Sequence, residues 1–168
     1  MKAFSLIADE ITAHEAEDDP RNQHILIYVD GKIVPRSEAK VSVYDSGFML
    51  GDGVWEGLRF YNGTWAFLDE HINRLYEAAK AIDLDINLNE VELIAALEKT
   101  RLANRITKDA HARVMVTRGI KARPFQHPSL SLQGPTVVII IEHSVPKFSR
   151  PIKPVSYTHL RAHETCTN

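Results

Sequence analysis

The sequence predicts an α/β protein built on a small antiparallel sheet with two helices. Three observations carry this. Asp30-Gly31 and Asn62-Gly63 are each flanked by runs rich in β-branched and aromatic residues, and such dipeptides favour the type I′ turn of a two-residue hairpin. Two segments, Asp69–Ile82 and Asn89–Leu102, repeat apolar residues at helical spacing. The connection between the hairpins is short, which favours antiparallel pairing, because parallel strands need a long crossover.

Residues 1–23 read as a solvated arm. Glu10, Glu15, Glu17, Asp18 and Asp19 make it acidic, and Pro20 is expected to end any helix there. His24–Val29 is the first strand, Lys32–Val34 the returning one, and Pro35 ends it. Val41, Val43 and Tyr44 alternate with polar residues, so a third strand or extended segment is expected. Gly51, Gly53 and Gly57 follow. A dinucleotide-binding loop would need glycine at position 56, which is Glu56, and no Gly-Lys pair is followed by Ser or Thr as a P-loop requires. These glycines therefore mark a bend where backbone passes close to a neighbour. Gly57–Tyr61 and Thr64–Leu68 flank the second hairpin turn.

The helix Asp69–Ile82 carries the stripe Ile72, Leu75, Tyr76, Ala79, Ile82. Asp69 suits the N-cap, and Glu70 adds charge where the helix dipole favours it. Arg74 lies about 140° from the stripe by the helical period, so it is not a core residue, and its fork of donors suits a phosphate. In the second helix, Asn89 with Glu92 forms a capping box, and Leu93, Ile94 and Leu97 mark the buried face. Asp109–Thr117 alternates Ala110, Ala112, Val114 and Val116 against His111, Arg113 and Met115, which is a half-buried strand. Ile120–Pro135 is a long loop of the kind that is usually functional or linking. Thr136–Ile141 is a continuous apolar run, expected to be buried on both faces.

Composition excludes several classes. The 168 residues are 44% hydrophobic and 25% charged, with a net charge of −2. That is the mix of a globular protein, with no bias toward nucleic acid or an anionic membrane. The single cysteine, Cys166, cannot form a disulfide within one chain, which fits a reducing compartment, so a cytoplasmic location is expected. No apolar run is long enough to span a bilayer. The histidines are not spaced as metal ligands, so no metal is expected.

The motifs resemble a known family. Ile27-Tyr28-Val29-Asp30-Gly31-Lys32, Val41-Ser42-Val43-Tyr44-Asp45-Ser46-Gly47-Phe48, Gly51-Asp52-Gly53-Val54-Trp55-Glu56-Gly57-Leu58-Arg59 and Glu70-His71-Ile72-Asn73-Arg74-Leu75 stand in order. Over about residues 24–143 the chain resembles the N-terminal half of the class IV aminotransferases, which include branched-chain and D-amino-acid aminotransferases and aminodeoxychorismate lyase. The resemblance implies pyridoxal 5'-phosphate as cofactor, amino acids and 2-oxo acids as substrates, and a homodimer when full length. It gives Arg74, in the His-x-x-Arg-Leu run, the cofactor phosphate. It also implies a domain plan: arm 1–23, small domain 24–119, interdomain loop 120–135, and residues 136–154 as the first strand of a truncated larger domain. Such a strand, lacking its neighbours, would expose an aggregation-prone edge.

For substrate the resemblance points to Arg59, Arg113, Arg123 and Trp55, because arginine grips a carboxylate bidentately. Glu56-Gly57-Leu58-Arg59 and Arg113 look like the branched-chain branch. Val116-Thr117-Arg118-Gly119 with Arg123 looks like the D-amino-acid branch, although Phe125 stands where that branch has histidine and Trp55 where it has tyrosine. Residues 155–168 resemble a translated sequencing adapter, an artificial tail. The Schiff-base lysine, roughly a hundred residues beyond the phosphate-binding arginine in the family, is then expected beyond Asn168; Lys121, Lys147 and Lys153 do not sit in its motif. The alternatives are a lyase with the same cofactor site and a non-catalytic α/β association domain.

Overall fold

The computed structural model describes residues 19–145. The strands are β1 (Leu26–Val29), β2 (Lys32–Pro35), β3 (Gly53–Tyr61), β4 (Thr64–Ala66), β5 (Ala110–Thr117) and β6 (Thr136–His143); the helices are α1 (Ser46–Leu50), α2 (Leu68–Ala81) and α3 (Glu90–Ala103). The strands form one antiparallel sheet in the order β2-β1-β6-β5-β3-β4. Both hairpins turn as expected, with Asp30 and Gly31 at φ 45° and 86° and Asn62 and Gly63 at φ 48° and 88°, the left-handed pair that a type I′ turn requires.

The helices α2 and α3 cover one face. Ile72, Leu75 and Ala79 of α2 and Leu93, Ala96 and Leu97 of α3 share a core with Leu58, Phe60, Ala112, Val114, Val116, Ile139 and Ile141 of the sheet. The alternation in β5 is complete, since Ala110, Ala112, Val114 and Val116 are all fully buried. The opposite face carries Trp55, Gly57 and Arg59 of β3, His111, Arg113 and Met115 of β5, and Val138 and Ile140 of β6. These are register partners across three strands.

β6 corrects the expected domain plan. It pairs with β5 along eight residues, Thr136 to His143, and with β1 at Val138 and Ile139, so it is an inner strand of the small domain's sheet and not the start of another. The aggregation-prone edge expected of it is paired on both sides. Its apolar run reflects this central place, yet only one face is sealed: Val137, Ile139 and Ile141 are buried, whereas Val138 and Ile140 are partly exposed.

The arm is corrected in part. Pro20 begins the 3-10 turn Pro20–His24, capped by Asp19, because its fixed φ suits a first helical position. His24 belongs to that turn, not to the strand. Asn22 exchanges two hydrogen bonds with the backbone of His143, at 3.0 and 2.8 Å, as a strand neighbour would. The rest of the arm, Cys166, Lys147, Lys153 and the adapter-like tail lie outside the described residues.

Three local expectations also change. Val41–Tyr44 forms no strand and is largely exposed; it leads instead into α1, unforeseen in the sequence, where Asp45 accepts from the Gly47 N–H at 2.8 Å and Gly51 closes the helix at φ 67°. Asp69 is not the N-cap of α2. Phe67 holds that place in a left-handed conformation without a side-chain cap, and Asp69 and Glu70 lie in the first turn. At the other end Ile82 is the C-cap and 39% exposed. Gly53 behaves as expected of a close approach: a Cβ there would stand 2.6 Å from the Val116 carbonyl oxygen.

The capping box of α3 is complete, with Asn89 accepting from the Glu92 N–H at 2.9 Å and Glu92 accepting from the Asn89 N–H at 2.8 Å. Replacing Asn89 with Ala should lower stability by about 1 kcal/mol, the usual cost of losing an N-cap side chain. Denaturant midpoints measured at unchanged slope will check this.

Candidate active site

A carboxylate lies inside the sheet's helix-covered face. β3 alternates Val54, Glu56, Leu58 and Phe60 toward α2, so Glu56 occupies a core position and is only 5% exposed. A charge there needs partners, and α2 supplies two. Arg74 donates from Nε to Glu56 Oε1 at 2.5 Å and from Nη2 to Oε2 at 2.7 Å. His71, one helical turn earlier, places Nδ1 2.8 Å from Oε2. The Arg74 hydrogen bonds, against the opposing cost of burial, hold the Glu56 carboxyl below its ordinary value. The Arg74 side chain is otherwise open to solvent, at 65% exposure, and its Nη1 has no hydrogen-bond partner among the described residues.

Three of the other predicted residues, Trp55, Arg59 and Arg113, lie on the opposite face. The Arg113 guanidinium carbon lies 4.5 Å from the centre of the Trp55 ring, a cation–π stack. Arg59 Nη1 donates to Ser144 Oγ at 3.1 Å. Among the described residues neither arginine forms a salt bridge. His111 is the register partner of Arg59 on one side and of Glu142 on the other. Gly57 leaves room for its ring, since a Cβ would stand 3.3 Å from His111 Nε2. Burial first, then Arg113 and Arg59, push the His111 imidazole below its ordinary value, with Glu142 opposing. Beside this row an apolar hollow of about 290 Å³ lies among Ile27, Val29, Phe48, Met115, Val138 and Ile140.

The structure thus brings Trp55, Arg59 and Arg113 together and leaves Arg74 on the other face of the same strand. Between them β3 has a free edge: β4 pairs with it only at Arg59–Tyr61, so no described strand covers residues 53–58 on the side away from β5. Arg123 sits exposed in the loop after β5. Lys121 in that loop is 1% exposed and donates from Nζ to the carbonyls of Gln126 and His127, each at 3.3 Å. Arg118 is a structural clamp: it binds Asp52 through Nε and Nη2 at 2.8 and 3.1 Å and the carbonyls of Ile82 and Asp83 at 2.6 Å.

Sequence reasoning missed Glu56 and His71 as parts of the site. The signal was present, because Glu56 is in phase with the buried positions of β3 and a carboxylate there demands a cation.

A family model, Amino-transferase class IV, matches residues 53–165, and the chain belongs to that family. It is 37% identical over 129 residues to branched-chain-amino-acid aminotransferase-like protein 1 of Arabidopsis thaliana, covering 77% of this chain and 23% of that protein. It is 47% identical over 94 residues to a putative branched-chain-amino-acid aminotransferase of Methanocaldococcus jannaschii, covering 56% and 32%. To the D-alanine aminotransferase of Bacillus licheniformis it is 39% identical over 101 residues, covering 60% and 35%. The fold matches the branched-chain aminotransferase of Thermoproteus uzoniensis with norvaline, with a TM-score of 0.61 and 29% identity over 71% of this chain and 41% of that one. It also matches the T.th. branched-chain amino acid aminotransferase with pyridoxamine 5'-phosphate, with a TM-score of 0.63 and 27% identity over 71% and 40%. The chain spans less than half the length of each of these relatives. Among the described residues no helix is long and apolar enough to cross a membrane.

A depressed His111 makes a signed prediction. Its stabilising neutral state is fully present above the unfolded value of 6.5, and its contribution is lost as pH falls through that value toward the folded one. The stability of wild type relative to His111→Gln should therefore decline on acidification from above 6.5. Unfolding curves across this range, with the His111 NMR titration, will read it.

Proposed function

We propose that the chain is the cofactor-phosphate and substrate-carboxylate half of a pyridoxal-phosphate aminotransferase that moves an amino group between an amino acid and a 2-oxo acid. The observation that carries this reading is Arg74, fixed through two of its nitrogens by a buried carboxylate while its third faces solvent. That donor set fits a phosphate. When bound, the cofactor supplies the electron sink for the chemistry at the substrate's α-carbon.

The chain's own residues supply binding and orientation. Arg74 anchors the phosphate on the helix-covered side. Arg59 and Arg113, which have no carboxylate partner among the described residues, offer donors to a substrate carboxylate on the open face, and Trp55 holds the Arg113 guanidinium over its ring, 4.5 Å from the centre. The edge of β3 at residues 53–58, unpaired among the described strands, lies between these two groups. The hollow beside Met115, Val138 and Ile140 suits an aliphatic side chain, which favours branched-chain substrates. Arg123, exposed on the loop, is a further carboxylate donor of the D-amino-acid type. None of the described lysines is assigned the Schiff base, and Lys121 in particular has its ammonium on backbone carbonyls; that role is assigned beyond Asn168. The active form is read as a cytoplasmic homodimer.

Arg74→Ala should weaken pyridoxal-phosphate binding by about 1.5–3 kcal/mol, the value of a hydrogen bond to a charged group, and should also lower stability, because the buried Glu56 carboxylate keeps His71 as its one partner among the described residues. Cofactor titration of the two proteins measures this, and equal affinity would refute the assignment. In the full-length enzyme, Arg123→Ala should raise KM for amino acids more than for amine donors lacking a carboxylate. Steady-state kinetics with paired donors separates the two, and an equal loss would assign Arg123 elsewhere.

A further inference from the structure

We propose that Glu56 is a positioning residue for the anion site: it holds Arg74 by Nε and Nη2 so that Nη1 is the phosphate donor, and it fixes His71 with its proton on Nδ1. The inference rests on the reading of Arg74 as the phosphate anchor and adds the device that aims it. An arginine at 65% exposure would ordinarily sample many rotamers. Here two parallel bonds to one carboxylate, at 2.5 and 2.7 Å, fix the plane of the guanidinium. The carboxylate is itself immobile, because it stands on β3 between Val54 and Leu58 and is 5% exposed.

The histidine follows from the same carboxylate. Glu56 Oε2 is an acceptor, so the 2.8 Å contact requires a proton on His71 Nδ1. The 3.1 Å approach of Arg74 Nη2 to that same Nδ1 then brings two donors together and is not a hydrogen bond; both point at Oε2. With Nδ1 so occupied, Nε2 is the imidazole nitrogen left to meet a ligand. Glu56 thus orders two side chains that lie one turn apart on α2.

Positioning and simple electrostatics make opposite predictions. Glu56→Gln removes a negative charge close to a bound dianion, so charge alone predicts tighter binding. Positioning predicts weaker binding, because the amide can accept only on one side and the guanidinium loses its plane. The test titrates pyridoxal 5'-phosphate into the 168-residue chain as wild type, Glu56→Gln, Glu56→Asp and Arg74→Ala, following the cofactor's absorbance. Glu56→Gln and Glu56→Asp should each raise Kd about tenfold; unchanged or tighter binding by Glu56→Gln overturns the proposal. Long-range proton–nitrogen correlation of wild type should show His71 with Nδ1 protonated, and a Nε2–H tautomer overturns it even if the variants fail to fold. Wild-type affinity in Arg74→Ala would defeat the cofactor reading instead, and the His71 tautomer would still decide for or against Glu56.

Discussion

The sheet exists as one body only because β6 lies at its centre. The β1–β2 hairpin is joined to the rest of the sheet through β6 alone, and β6 in turn is joined to the β3–β4 hairpin through β5. Its eight-residue register with β5 sets which residues face the helices and which face outward, since a slip by one residue would exchange the two faces. The burial of Val137, Ile139 and Ile141 against α2 and α3 holds that register. The whole site depends on it, because Glu56 and Trp55 are neighbours in β3 whose opposite roles follow from which face each one takes.

The site divides labour between those faces. The helix-covered side has the material for fixing a charge: a buried carboxylate, a rigid strand and two cationic or proton-bearing side chains on one helix. The open side has arginines without acidic partners among the described residues, an aromatic ring and an apolar hollow. A phosphate is small, dianionic and needs a fixed donor, whereas substrates differ in their side chains and need an adaptable surface. The proposed aminotransferase reading joins these two observations, because it asks one site to hold a phosphate and an amino acid.

Local signals were legible in the sequence where local physics decides. Asp30-Gly31 and Asn62-Gly63 made the turns that left-handed φ values dictate, and the Asn89–Glu92 box opened its helix within one residue of expectation. Long-range pairing was not legible. The apolar run at residues 136–141 announces a central strand, but nothing in the run names its neighbours, and assigning it to another domain followed family resemblance over the chain's own pattern. Phe67 took the N-cap of α2 from Asp69 because the chain must turn sharply out of β4, a tertiary demand. Arg74, found by its helical phase and motif, was legible. Glu56 was overlooked because it stands among glycines, whose spacing is the louder local signal.

The order of synthesis gives the central strand one more consequence. Asn22 bonds His143 across 121 residues of chain, and β1, held by Asn104 at the end of α3, has β2 as its one strand partner among the described residues until β6 has left the ribosome. The hairpins and helices can form as they emerge, but the described sheet cannot close before β6 arrives. Closure over so long a span is slow relative to local contacts. A nascent chain of this protein therefore waits, with the inner edges of two half-sheets uncovered, and β6 completes both at once.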